Sequence, residues 1–132
     1  MPKNQPEFIL QKQICQWLSL QYPHILFLSD TVASVKLTTP QAIRNKSIQK
    51  VGFKTPDLII FFPNKHYSGL FLELKAESPY KKDGTLFKNK HLEAQQKSIN
   101  ELNCLGYYAC FSWGFNKTKK IITDYLQNNI LK

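Results

Sequence analysis

Asp57 and Glu73 lie sixteen positions apart, each attached to a run of strand-forming residues, and Lys75 follows the second acid by two. The first run is Pro56-Asp57-Leu58-Ile59-Ile60-Phe61-Phe62 and the second is Leu70-Phe71-Leu72-Glu73-Leu74-Lys75. Pro63-Asn64-Lys65-His66 and Ser68-Gly69 between them are turn material, so the two runs read as a hairpin. With its turn centred near Lys65, Asp57 falls opposite Glu73, and period-two alternation puts Lys75 on the Glu73 face while Leu74 enters the core. Carboxylates directly across a strand pair have Cβ atoms roughly 4.5–5.5 Å apart and repel, so a fold that keeps both needs a cation between them. A divalent metal, Mg²⁺ or Mn²⁺, is the simplest candidate. Mg²⁺ is commonly held by one or two carboxylates plus water and phosphate oxygens, and such an ion stabilises the attacking and leaving oxygens of a phosphodiester displacement. A lysine beside it suits orienting or deprotonating a water, or neutralising charge that builds on phosphorus.

The elements that must hold these groups are legible around them. Pro6 to Leu20 carries Ile9, Leu10, Ile14, Trp17 and Leu18 at amphipathic helical spacing, with proline in the first turn and Glu7 at the start. His24 to Leu28 reads as a strand, Thr39-Pro40-Gln41 opens a second helix to about Gln49, and the hairpin follows. Leu92 to Leu105 is helical and ends at Gly106, a suitable left-handed cap. Tyr107 to Trp113 is a strand. Lys117 to Leu131 closes the chain as a helix with Ile121, Ile122, Tyr125, Leu126 and Ile130 on one side. The 132 residues and 42% hydrophobic content suit one domain spanning 1–132.

Formal net charge is +9, and three of only nine acids are Glu7, Asp57 and Glu73. A polyanionic partner is expected. Lysines gather between Lys36 and Lys54, including Lys46 and Lys50, and again at Lys81, Lys82, Lys88 and Lys90, so these segments are candidates for contacting phosphate. A solvated face is the plainer reading of either cluster. Met1-Pro2-Lys3-Asn4-Gln5 has no apolar signal core and the apolar run Leu58 to Pro63 is too short for a bilayer, so a cytoplasmic protein is expected. Cys15, Cys104 and Cys110 share no CxxC spacing and read as buried thiols, and His24, His66 and His91 lack ligand spacing; His91, near the start of the helix bearing Gln95, is placed to touch phosphate, with a surface histidine at the helix entry as the plainer reading.

At the acid-acid-lysine residues the chain resembles the PD-(D/E)xK nuclease superfamily, whose site joins a proline-aspartate to an acid-x-lysine, here Pro56-Asp57 and Glu73-Leu74-Lys75. More narrowly it is similar to the VRR-NUC (virus-type replication-repair nuclease) domain. Glu7-x3-Gln11-x5-Trp17 followed by Gln21-Tyr22-Pro23 matches that family's N-terminal acidic motif, and Gly52-x3-Pro56-Asp57-Leu58 its glycine-then-PD signature. Gln95-x6-Leu102-x3-Gly106-Tyr107 matches its helix glutamine. About twenty residues separate Lys75 from Gln95, more than in compact members, which leaves Gln96 as a rival for that role. The extra segment, Ser78 to Lys88, reads as its own hairpin with Asp83-Gly84 as a two-residue turn.

The resemblance implies an α/β, restriction-endonuclease-like fold: a central mixed β-sheet flanked by helices, in the order αβαββ, inserted hairpin, αβα. It implies a Mg²⁺- or Mn²⁺-dependent DNA endonuclease, with Asp57, Glu73 and Glu7 as metal ligands, Lys75 as the water-orienting or charge-stabilising group, and Gln95 in support. Branched DNA such as four-way junctions, a homodimer, and phage or bacterial replication and repair are implied by stand-alone members. Singly, each residue has a plainer role. Asp57 suits a strand-entry cap, Glu7 a helix start stabilised by the macrodipole, Gln95 a polar helix surface, and Glu73 with Lys75 a surface ion pair. Their union is what favours the site. A catalytically idle DNA-binding or assembly module, and a restriction-like sequence-specific nuclease, are the alternatives.

Overall fold

Residues 5–29 and 37–127 are described by the computed structural model. The order is α1 (Gln5–Gln21), β1 (Phe27–Ser29), α2 (Thr39–Ile48), β2 (Leu58–Ile60), β3 (Leu70–Lys75), α3 (Lys90–Cys104), β4 (Tyr108–Trp113) and α4 (Phe115–Leu126). Local signals account for the helix starts. Thr38 caps α2 reciprocally with Gln41, with Pro40 in the first turn, and Asn89 caps α3 by accepting from the His91 and Leu92 amides. Gly106, at φ 97°, ends α3 in the left-handed region that only glycine enters cheaply.

The four strands form one mixed sheet in the order β1-β2-β3-β4. β1, β2 and β3 pair antiparallel, and β4 joins β3 in parallel after the crossover through α3. Alternation then divides the residues of the sheet between two layers. Leu58, Ile60, Leu70, Leu72 and Leu74 pack with Leu10, Ile14 and Leu18 of α1 and Ile122 and Tyr125 of α4. Phe71, Ala109, Phe111 and Trp113 pack with Ile99 and Leu102 of α3. β3 is buried by helices on both faces, so its odd-numbered residues Phe71, Glu73 and Lys75 face the α3 layer.

Several boundaries differ from expectation for identifiable reasons. The first strand begins at Phe27 rather than His24, because the Ile25 amide bonds back to the Tyr22 carbonyl (3.0 Å) and holds that stretch as a turn. α4 begins at Phe115 rather than Lys117, because Gly114, at φ 76°, turns the chain directly from β4 into a helix whose Thr118 hydroxyl bonds the Gly114 carbonyl (2.8 Å). The inserted hairpin exists in miniature as a single bridge, Tyr80 to Leu86. Its loop is longer than the two-residue turn expected. The Lys81 amide bonds the Thr85 carbonyl (2.7 Å) and the Gly84 amide the Lys81 carbonyl (2.9 Å), which with Gly84 at φ 89° is the three-residue arrangement. Cys104 is exposed, and Cys15 and Cys110 are half-buried, so the expectation of three buried thiols fails. Met1 to Asn4, Lys36, Ile130 and Leu131 lie outside the described residues.

Candidate active site

The antiparallel register of β2 and β3 pairs Leu58 with Leu72, and one step outward the same register sets Asp57 across from Glu73. Asp57 is fixed there by accepting the Leu74 amide on its Oδ2 (2.9 Å), while its own carbonyl accepts from the Gln11 side chain (3.3 Å). Glu73 is 5% exposed. Its Oε2 accepts from Nε2 of Gln95 (2.9 Å) on α3. Burial first, then the charge of Asp57 and a hydrogen bond to it, and more weakly Glu7, raise the Glu73 carboxyl against the pull of Lys75, to about 10 in all. In a protein of charge +9, the two acids of one cleft are thus frustrated rather than relieved. Lys75 is itself buried, with its ammonium 5.9 Å from the centroid of the Phe111 ring.

Asp57, Glu73, Lys75, Gln95 and Glu7 all line one cleft of about 1100 Å³. Glu7 sits at the start of α1, where the helix end favours an acid. Among the described residues no three His, Cys, Asp or Glu side chains form a cage for a metal, so Glu7 flanks the pair without completing a three-carboxylate set. The donors fit a hard, hydrated cation. Two carboxylates leave most of an octahedral shell to water and phosphate, as Mg²⁺ prefers, and Oε1 of Gln95 is buried beside them with no hydrogen-bond partner. An acceptor in that condition is matched by the proton of an ordered water. A tetrahedral zinc site is not offered.

The helix glutamine is Gln95, since Gln96 instead bonds Asn100 along the outer side of α3 (2.8 Å). Two further residues join the site: His91, for which a surface position at the helix entry was the plainer reading, and Gln11, which was given no role beyond its place in the N-terminal motif. Nε2 of His91 lies 3.1 Å from Nε2 of Gln95, a contact that requires one of the two nitrogens to accept, which neutral His91 supplies. Gln11 is buried and bonds both Ser29 Oγ (2.6 Å) and the Asp57 carbonyl. The signal for His91 was its i,i+4 spacing to Gln95, and for Gln11 only its place in the Glu7-x3-Gln11 motif. The lysines separate. Lys46, Lys54 and Lys88 line the acid cleft, and the Lys54 amide is tied to Ser98 Oγ of α3 (2.7 Å). Lys50 borders a second hollow of about 540 Å³ beside Leu102 and Leu105. Lys81, Lys82 and Lys90 are exposed and border neither hollow.

The four-stranded sheet, mixed in direction and flanked by helices, is an α/β fold with the acid pair at the β2–β3 register. No protein-family model and no curated protein matches the sequence. Among solved structures, a chain described as a "VRR_NUC domain protein" superposes with a TM-score of 0.60 at 22% identity, covering 95% of this chain and 91% of that one. The chain has the VRR-NUC fold.

Proposed function

We propose that the protein is a metal-dependent deoxyribonuclease that hydrolyses phosphodiester bonds. The observation that carries this reading is the convergence of Asp57, Glu73, Lys75 and Gln95 in one cleft, at the pairing set by the β2–β3 register. Mg²⁺ or Mn²⁺, when bound, supplies charge stabilisation for the attacking and leaving oxygens. Asp57 and Glu73 would hold it, with the Leu74 backbone amide and the Gln95 side-chain amide keeping their oxygens aimed. Lys75, partly desolvated, orients the attacking water or neutralises charge on the phosphoryl oxygens. Glu7, which lines the same cleft, contributes through its charge. Gln95 offers its open acceptor to a water proton.

The partner proposed is DNA, met through Lys46, Lys54 and Lys88, with Lys50, Lys81, Lys82 and Lys90 as a wider basic surface. Among the described residues no helix is long and apolar enough to cross a membrane. Branched DNA such as a four-way junction is the proposed substrate, and a homodimer the proposed assembly, because symmetric cutting requires two sites. Incubating the protein with labelled four-way junction, flap and linear duplex DNA in Mg²⁺, Mn²⁺ or EDTA tests this. Metal-dependent cutting that favours the junction is expected. Binding without cutting in either metal would make the domain an idle DNA-binding module.

A further inference from the structure

Among the described residues three large aromatic side chains are strongly exposed: Phe8 at 41%, Phe61 at 55% and Phe87 at 49%. Two of the three, Phe8 and Phe87, line the acid cleft together with Lys46, Lys54 and Lys88. Each sits on backbone close to buried or half-buried residues. Phe8 follows Glu7 at the start of α1, two residues before the buried Leu10. Phe87 donates its amide to the Pro79 carbonyl (3.0 Å), and the segment bearing it is pinned by Leu86 in the α3-side core and by Tyr80 against Phe111 (6.1 Å) and Trp113 (5.7 Å). The inserted segment is thus an anchored arm that presents one apolar ring and Lys88 to the cleft.

Aromatic faces interleaved with lysines make a platform for stacked bases and tracked phosphates. A paired duplex hides its base faces inside the stack, so rings of this kind have a partner only where bases are unpaired. We propose that Phe8 and Phe87 stack unpaired DNA bases beside the scissile phosphate, so that the site takes a single-stranded or locally opened segment, rather than continuous duplex. This rests on the nuclease reading for the position of that phosphate. It gives the inserted arm a role in substrate selection that the acid-acid-lysine set does not provide.

Fluorescence anisotropy of the intact chain in EDTA, with a labelled oligothymidylate and with a duplex hairpin lacking free ends, reads this directly. Phe8→Ala and Phe87→Ala are each expected to weaken the unpaired strand roughly fivefold or more, leaving the duplex little changed, with Phe87→Tyr restoring affinity. Unchanged melting temperatures for these exposed positions exclude misfolding as the cause. Equal loss for strand and duplex, or no loss for either, overturns the proposal. So does a change of sedimentation behaviour without a change of strand affinity, which would make the rings a contact between copies of this chain. If the wild type still cuts DNA in Mn²⁺ while the variants bind the strand normally, only the stacking role falls. If the wild type neither binds nor cuts any DNA, the nuclease reading falls with it.

Discussion

β3 shows two chemistries on one six-residue strand. Leu70, Leu72 and Leu74 are essentially inaccessible and pack between α1 and α4, whereas Glu73 and Lys75, equally enclosed by backbone, face the α3 layer. The dry face has little polar chemistry to satisfy. Its buried hydroxyls are all satisfied, Ser112 and Thr118 bonding each other at 2.6 Å and Tyr125 donating to the Phe62 carbonyl at 2.7 Å. The opposite face buries a glutamate whose surroundings oppose its charge and a glutamine oxygen without a partner. The contrast teaches that the leucine face supplies the rigidity and the α3 face spends it: a strand locked on one side can hold carboxylates in a geometry they would not choose.

Substitutions on either side should break in different ways. Asp57→Ala, Glu73→Ala or Lys75→Ala should lower cleavage by at least about 100-fold with the fold retained, read by initial rates beside circular dichroism. Leu72→Ala, one residue from Glu73, should instead cost about 2–5 kcal/mol of stability in a denaturant titration. Should Leu72→Ala prove harmless to stability, the dry face is not what anchors the strand. Gln95→Ala should reduce metal affinity or cleavage by about 10- to 100-fold, less than losing a ligand. Ser112→Ala is the mildest change, about 1 kcal/mol with normal cleavage.

The same contrast has a pH signature. A carboxyl raised from 4.5 to about 10 in the folded protein binds its proton more tightly there than when unfolded. The stability it contributes is therefore complete below the unfolded value and is lost as pH rises towards the folded one. Without metal, the melting temperature should fall as pH is raised through neutrality, and Glu73→Gln should flatten that slope. An identical slope in the variant would mean that Glu73 is not the group being titrated.

The β2–β3 register could be read from residues alone because Pro63 to Gly69 fixes the turn and the alternation of leucine with charge fixes the face. Gln95 was reachable only through the family resemblance carried by Gln95-x6-Leu102-x3-Gly106-Tyr107, since nothing local distinguishes a buried glutamine from an exposed one. His91 reaches Gln95 through an i,i+4 contact within α3, which spacing carries, whereas the role of Gln11 depends on docking of α1 beside Asp57 and follows from tertiary packing. The starts of β1 and α4 were misplaced for a smaller reason. A backbone turn at Tyr22 and a positive φ at Gly114 decide them, and hydrophobic periodicity carries neither.

Calorimetric titration of Mn²⁺ into the wild type and Glu73→Ala, run in two buffers of different ionisation enthalpy, addresses the central claim without requiring a substrate. The account predicts saturable binding by the wild type, with proton release because the metal displaces the proton held on Glu73, and loss of both in the variant. Equal binding by the two proteins would contradict it, as would the absence of any saturable binding to the wild type.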